Sequence, residues 1–285
     1  MTLLKKYWRE CVVLLFILAN VFAWQTLYLR SASGALNVYF IDVGQGDAVL
    51  IESPTRGRVL VDGGANRSIL RELGRILPFG DKRIDVLLAT HPDADHIGGL
   101  LEVVSRYDIG LFLETGMDAE NDIDDELWRR LEGREVTRLL ARRGMALDLG
   151  DGALVRILFP DRDVSDWDPN DASVVARLDY GEDSFLLTGD AEIKTENLLL
   201  RLGEDVLDTD VLKVGHHGSK TSSTWSFIKA VEPMYAVISA GKDNRYGHPH
   251  QSVLDTLSKV NAKILSTSEL GTIHMRSFGS GVEIK

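Results

Sequence analysis

His91-Pro92-Asp93-Ala94-Asp95-His96-Ile97-Gly98-Gly99-Leu100 follows, after Thr90, on the largely apolar run at residues 84–89. Within six residues the stretch carries four side chains able to bind a cation: His91, Asp93, Asp95 and His96. They stand at the end of an expected buried strand, the place where α/β folds assemble their sites. A structural turn with capping aspartates would explain Asp95 near a helix N-terminus, but it would leave both histidines and Asp93 without a task. The tight turn lets His91 and Asp93 face one ion while Asp95 and His96, at the start of the next helix, face another. Imidazole combined with carboxylate suits zinc, manganese or iron. No thiolate competes, because Cys11 is the single cysteine, and for the same reason no disulfide framework can form.

Working outward, short β-rich runs alternate with helical periods, the mark of an α/β domain. Strands are expected at residues 36–43, 48–52, 58–62, 84–89, 155–159, 173–180 and 184–188. Helices are expected at 67–77 and 96–107, with a long charged surface helix across 121–144. Two halves of similar strand-then-helix order suit a four-layer αββα sandwich, with helices outside and two sheets inside. The aspartates at 161, 163, 166 and 168 with Pro169 mark a solvated loop, since the glycine and terminal glutamate of a calcium loop are missing.

The chain has 285 residues, 44% of them hydrophobic, enough for a sizeable core. Its formal net charge of −11 offers no general attraction for nucleic acid, so a polyanionic substrate must be captured locally. Lys5, Lys6 and Arg9 precede an apolar run at 11–24 that is interrupted by Asn20. This reads either as a signal peptide cleaved after Val21-Phe22-Ala23 or, extended to Leu29, as a membrane anchor. Either reading places the body outside the cytoplasm, because the basic end stays inside. The expected division is an N-terminal segment at 1–34 and a hydrolase domain at 35–285.

Residues 91–99 resemble the His-x-Asp-x-Asp-His variant of the metallo-β-lactamase superfamily signature. Asp42-Val43-Gly44-Gln45-Gly46-Asp47-Ala48 resembles the opening motif of the ComEC/Rec2-related, DNA-uptake branch. Val61-Asp62-Gly63-Gly64, Leu187-Thr188-Gly189-Asp190, His216-His217-Gly218-Ser219 and Tyr246-Gly247-His248-Pro249-His250 follow in family order, so that the resemblance spans residues 36–285. It implies a metal-dependent hydrolase holding two divalent ions, Zn2+ or Mn2+. His91 and Asp93 would ligate the first ion, Asp95 and His96 the second, Asp190 would bridge, and His216 would complete the second site. Asp62 and Asp47 would orient these ligands by hydrogen bonds. Two departures stand out. Asp93 replaces a histidine common in the superfamily, which hardens the site and favours manganese alongside zinc. Asn170-Asp171 stands where a further histidine is usual, so Asn170, Asp171 or water completes the first site.

Two divalent ions against Asp93, Asp95 and Asp190 leave a net charge of about +1, able to receive a bridging hydroxide and a phosphodiester. The expected catalytic group is Asp95, Asp190, His217 and His248. His217, Ser219 and Lys220 precede a helix expected near Ser222, a natural anion seat. His248 and His250 flank Pro249, and either can bind phosphate or protonate the leaving oxygen. The expected function is therefore an exported phosphodiesterase or nuclease acting on DNA through a metal-bridged hydroxide. The alternatives are a hydrolase of another phosphoester, such as a cell-envelope polymer, and a non-catalytic domain that binds DNA or a partner. The expected partners are DNA and, if the N-terminal segment is uncleaved, the membrane. No protein partner follows from the sequence.

Overall fold

The alternation in Leu36-Asn37-Val38-Tyr39-Phe40 buries Leu36, Val38 and Phe40 on one face and leaves Asn37 and Tyr39 half-buried on the other. A strand of period two therefore forms here and packs one face inward. The computed structural model describes residues 7–31, 34–117, 119, 121–242 and 244–285, with the backbone alone for 25–31. In chain order the first half runs α1 (Trp8–Ser31), β1 (Leu36–Phe40), β2 (Val49–Glu52), β3 (Arg58–Val61), α2 (Ser68–Ile76), β4 (Arg83–Leu88), α3 (Ala94–Ile97), α4 (Leu100–Arg106), β5 (Asp108–Glu114), α5 (Asp122–Glu132) and β6 (Thr137–Leu140). The second runs β7 (Ala146–Asp148), β8 (Leu154–Phe159), β9 (Val175–Tyr180), β10 (Asp183–Leu187), α6 (Ile193–Leu199), α7 (Glu204–Leu207), β11 (Val211–Lys213), α8 (Trp225–Val231), β12 (Tyr235–Ile238), α9 (Gln251–Lys259), β13 (Lys263–Ser266), α10 (Thr267–Leu270), β14 (Ile273–Ser277) and β15 (Val282–Ile284).

Among the described residues one sheet has eight strands in the order β15-β14-β1-β2-β3-β4-β5-β6, and the other has seven in the order β13-β12-β11-β10-β9-β8-β7. Their inner faces meet in a core that includes Val38, Phe40, Ile51, Val155, Leu178 and Phe185. Helices α2, α4 and α5 cover the outer face of the first sheet through Leu73, Val103 and Leu127. Helices α6, α8 and α9 cover that of the second through Leu199, Phe227 and Leu257. This is the expected four-layer αββα sandwich.

Two elements differ from expectation. The helix expected at 96–107 is split at Gly98-Gly99, where the backbone of residues 63–66 comes so close that an added Cβ would lie 2.4 Å from Ala65 O and 2.0 Å from Gly63 O. The helical period at 121–144 ends early: α5 stops at Glu132, and residues 137–140 form β6 instead. Leu111–Leu113 of β5 present unpaired edge groups to this segment, and pairing them in parallel register outweighs local period. The pairing is reinforced where Arg138 Nε donates to buried Glu114 Oε1 at 2.7 Å.

In α1 the described apolar side chains, Leu15, Phe16 and Phe22 among them, are exposed. Among the described residues no helix is long and apolar enough to cross a membrane. Lys5 and Lys6, which carry part of the expected basic end, lie outside the described residues.

His274 of β14 stacks on Tyr39 of β1 with ring centroids 4.2 Å apart, and its Nε2 lies 2.9 Å from Asn37 Oδ1. Burial, aided by Arg276 and Lys285, lowers its pKa to about 4. An unfolded histidine takes its proton near 6.5, so between about pH 6.5 and 4 the unfolded chain binds more protons at this position than the folded one. Its contribution to stability is therefore lost as pH falls through that window. We expect His274→Phe, which keeps the ring contact, to flatten the acid side of a plot of melting temperature against pH. Superimposable profiles for parent and variant would refute the assignment.

Candidate metal centre

The buried strand β4 delivers Ala89-Thr90-His91 to the edge of the sandwich, and Asp62, just past β3, sits beside it with φ of 57°. Thr90 donates to Asp62 twice, from its backbone N to Oδ1 at 2.8 Å and from Oγ1 to Oδ2 at 2.7 Å. His96 Nδ1 lies 2.8 Å from the same Oδ2. A carboxylate only accepts, so His96 carries its proton on Nδ1. Thr90 has spent its hydroxyl proton on Asp62, and its Oγ1, 3.0 Å from His91 Nδ1, then accepts from that ring. His217 Nδ1 is 2.8 Å from the carbonyl oxygen of Ser239, which assigns it the same tautomer. In the neutral form of all three rings the lone pair therefore falls on Nε2. All three Nε2 atoms are buried without a hydrogen-bond partner, as is Asp190 Oδ1.

These atoms converge. Asp190, just past β10, places Oδ2 3.3 Å from Nε2 of both His96 and His217, while Asp95 Oδ2 is 3.3 Å from His217 Nε2. Ligand atoms within 4.8 Å of one another form the groups His91–His96–Asp190, Asp95–His96–His217 and Asp47–Asp190–His217. Burial alone would depress the histidines, yet Asp190 and Asp62 hold His96 well above its ordinary pKa, and Asp190 and Asp47 do the same for His217. Burial would raise Asp190, yet His217 and His96 hold it well below the carboxylate range. The pocket's field thus calls for positive charge. Protons on buried imidazoles can supply it, and so can a divalent cation that displaces them. The donor set of imidazole nitrogen and carboxylate oxygen, already bare on its inner side, fits divalent metal.

The two histidines after β11 part company in the fold. His216 (φ 46°, ψ 47°) and His217 (φ 53°, ψ 20°) are both left-handed, followed by Gly218 at φ 82°. Such a turn costs non-glycine residues about 1–3 kcal/mol each and persists only where its surroundings impose it. It buries His217 within the cluster. His216 instead hydrogen bonds Glu192 Oε1 through Nδ1 at 2.9 Å, with Nε2 3.9 Å from Asp190 Oδ2. Expectation had put His216 among the ligands and His217 with the substrate. In the structure His217 joins the ligand groups with Asp190 and with Asp95 and His96, and among the described residues His216 joins none.

The remaining expected residues spread over two tiers. Asp93 is part-exposed, its Oδ2 3.7 Å from His91 Nε2. Asn170 and Asp171 lie near Glu192, with Asn170 Nδ2 3.4 Å from Glu192 Oε1, and among the described residues Asp171 joins no ligand group with His91. Ser219 is buried and pairs with Thr221 at 2.9 Å, while Lys220 is exposed. The His248 ring lies 5.5 Å from that of His216 and 6.4 Å from that of His217, and its backbone N donates to Asn244 Oδ1 at 2.9 Å. His250 is not brought to the cluster: it caps α9, its Nδ1 2.8 Å from Ser252 Oγ.

Sequence reasoning passed over Thr90, Ser173, Glu192 and, above all, Lys213. Its side chain is buried, ion-paired with Asp47, 4.0 Å from Asp190 Oδ1 and 3.4 Å from Gly189 O. A lysine inside the apolar run Val211-Leu212-Lys213-Val214 was the available signal, because burying such a charge demands a partner. Lys213→Met should leave Asp47 buried with only His217, 3.4 Å away, as its partner and lower the stability of the metal-free chain by up to about 3 kcal/mol. Removing both charges, with Asp47→Asn added, should restore part of that loss. Urea denaturation of the parent, single and double variants checks this; an unchanged midpoint in Lys213→Met would count against the pair.

A four-layer sandwich with a histidine–aspartate cluster at its strand ends defines a class of metal-binding hydrolase folds. Residues 41–242 match the Metallo-beta-lactamase superfamily, and the chain belongs to it. Among curated proteins it is similar to ComE operon protein 3 of Bacillus subtilis, 35% identical over 84% of this chain and 33% of that protein. It is also similar to Recombination protein 2 of Haemophilus influenzae, 33% identical over 91% of this chain and 31% of that protein. Competence protein ComA of Neisseria gonorrhoeae is 30% identical over 93% of this chain and 35% of that protein. The chain thus spans about a third of the length of these relatives. Among solved structures, the metallo-beta-lactamase fold protein YhfI of Bacillus subtilis superposes with a TM-score of 0.57 at 14% identity, covering 86% of this chain and all of that one. CmlA, a diiron beta-hydroxylase of Streptomyces venezuelae, gives 0.55 at 17% identity over 80% of this chain and 52% of that one. Both show a shared fold.

Proposed function

We propose that this chain is a phosphodiesterase that cleaves DNA with two divalent ions, Zn2+ or Mn2+. The observation that carries the reading is the set of buried, partnerless Nε2 atoms of His91, His96 and His217 facing the shared carboxylate of Asp190. His91 and Asp93 would hold one ion, Asp95, His96 and His217 the other, with Asp190 serving both. When bound, such ions make water nucleophilic near neutral pH and neutralise charge on phosphoryl oxygens. The chain's own residues do the positioning. Asp62 locks His96 directly and His91 through Thr90, so both rings present lone pairs to the ions. Lys213 and Asp47 brace Asp190 and His217 from behind. His248, with its buried partnerless Nδ1, stands beside His216 and His217 to meet the phosphate or the leaving oxygen. Relatives named for competence and recombination support DNA as the substrate.

We also place the body, residues 35–285, outside the cytoplasm. Arg9 in the first turn of α1, ahead of its exposed apolar stretch, supports this, and a C-terminal reporter that works only in the cytoplasm would overturn it. The activity itself is tested with the chain loaded with manganese or zinc, offered bis(p-nitrophenyl) phosphate and single- and double-stranded DNA. Hydrolysis that chelator abolishes and metal restores is expected; inertness toward every phosphodiester would reject the reading.

A further inference from the structure

Beside the metal centre lies a cavity of about 710 Å³ whose walls include Trp167, Lys194, Arg201, Arg162, Glu192 and Thr221. Its inner wall is the outer side of the cluster: Glu192 Oε1 accepts from Thr221 Oγ1 at 2.6 Å and lies 2.9 Å from His216 Nδ1. Anything filling the cavity would therefore be one residue layer from Asp190. The aromatic wall is preformed. Trp167 is half-buried, packed against Phe159 at 5.7 Å between ring centroids. The Lys194 ammonium lies 3.4 Å from the centroid of the indole. Among the described residues no ion pair engages Lys194 or Arg201, and Arg162 is neutralised by Asp161 at 2.7 Å. The acids of the wall are Asp171, whose carboxyl feels the Lys194 charge, and Glu192, which is already engaged by His216 and Thr221. In a chain of net charge −11, two cations without an ion pair in one cavity wall, Lys194 on the indole face and Arg201 in the same lining, are a local exception.

We infer that this cavity is a subsite for one unpaired nucleotide of the polynucleotide strand, with its base on Trp167 and its flanking phosphates on Lys194 and Arg201. The inference rests on the phosphodiesterase reading for its purpose and on its own residues for its chemistry. Aromatic stacking combined with backbone cations is how proteins seize single strands without reading sequence, and a base within a duplex offers no free face to an indole. The subsite also answers how an acidic protein captures a polyanion: Lys194 exchanges the indole face for phosphate, and the vacated face receives the base. Single strands are thus preferred to duplexes.

The test measures binding of a dye-labelled single-stranded deoxyoligonucleotide by fluorescence anisotropy to the full chain in chelator, where no cleavage occurs. Trp167→Ala should weaken binding about ten-fold and Trp167→Tyr should recover most of it. Because Trp167 also packs on the core, Arg201→Glu and Lys194→Glu provide the independent arm. Each should weaken binding and lower the salt dependence by about 0.7 of a logarithmic unit per unit of log salt. A duplex of the same sequence should bind more weakly, and hydrolysis of bis(p-nitrophenyl) phosphate should be unchanged in all four variants. If Arg201→Glu and Trp167→Ala bind the oligonucleotide like the parent, the subsite is wrong, even where the small diester is still cleaved. If the parent cleaves no diester but the variants lose oligonucleotide binding, the subsite stands and the proposed activity falls.

Discussion

Asp190→Ala is expected to abolish hydrolysis and to strip metal from the chain in the same preparation. Its carboxylate lies 3.3 Å from Nε2 of both His96 and His217 and belongs to a ligand group with His91 as well. Removing it takes away the anion common to these groups, so neither of the two proposed ions should keep its affinity. A loss in rate on the order of 10³ or more is expected, beyond the range for removing one electrostatic donor from a site that stays assembled. Metal content should fall from near two equivalents toward none, measured by elemental analysis after loading. Asp190→Asn separates charge from shape, since an amide can fill the same space but ligates weakly. A variant that keeps two equivalents and loses only rate would show that Asp190 is not shared between the ions.

His217→Ala should lose an ion and nearly all activity, whereas His216→Ala should retain both ions and slow the reaction by about ten-fold at most. The difference follows from where the left-handed turn at 216–218 sends each ring. His217 is buried with Nε2 inside the cluster; His216 is bound to Glu192 and Thr221 at its rim. Its removal disturbs Glu192 and the approach to the site but opens no coordination position. Metal content and rate measured on the same samples decide the matter. If His216→Ala loses the ion and His217→Ala keeps both, His216 is the ligand. The Gly218→Ala variant adds a check on the turn itself, because an added Cβ would lie 2.7 Å from Pro249 Cβ at a φ of 82°. It should reduce metal content without touching any ligand.

The motif at 91–96 is legible in the sequence because it is local. Strand end, turn and helix start are consecutive, so chain geometry alone gathers His91, Asp95 and His96. The two sheets are legible for the same reason, since period-two patterns and apolar runs declare buried strands from a few residues each. The tyrosine-backed His274, the edge strand β6 and the break at Gly98-Gly99 are not local, and each depends on what another segment brings alongside.

The amino-acid sequence by itself determined the superfamily, the order of the strands' motifs and which imidazoles and carboxylates were candidates. It did not determine which of His216 and His217 turns inward, since that is a matter of φ imposed by packing against Gly189, Ser239 and Pro249. Nor did it reveal that Lys213 would be buried against Asp47, or that Thr90 would pass the orienting effect of Asp62 to His91. Only the tertiary structure decided these, because a buried charge or a ring tautomer is set by partners distant in the chain, whose free energy exists only once both have left water.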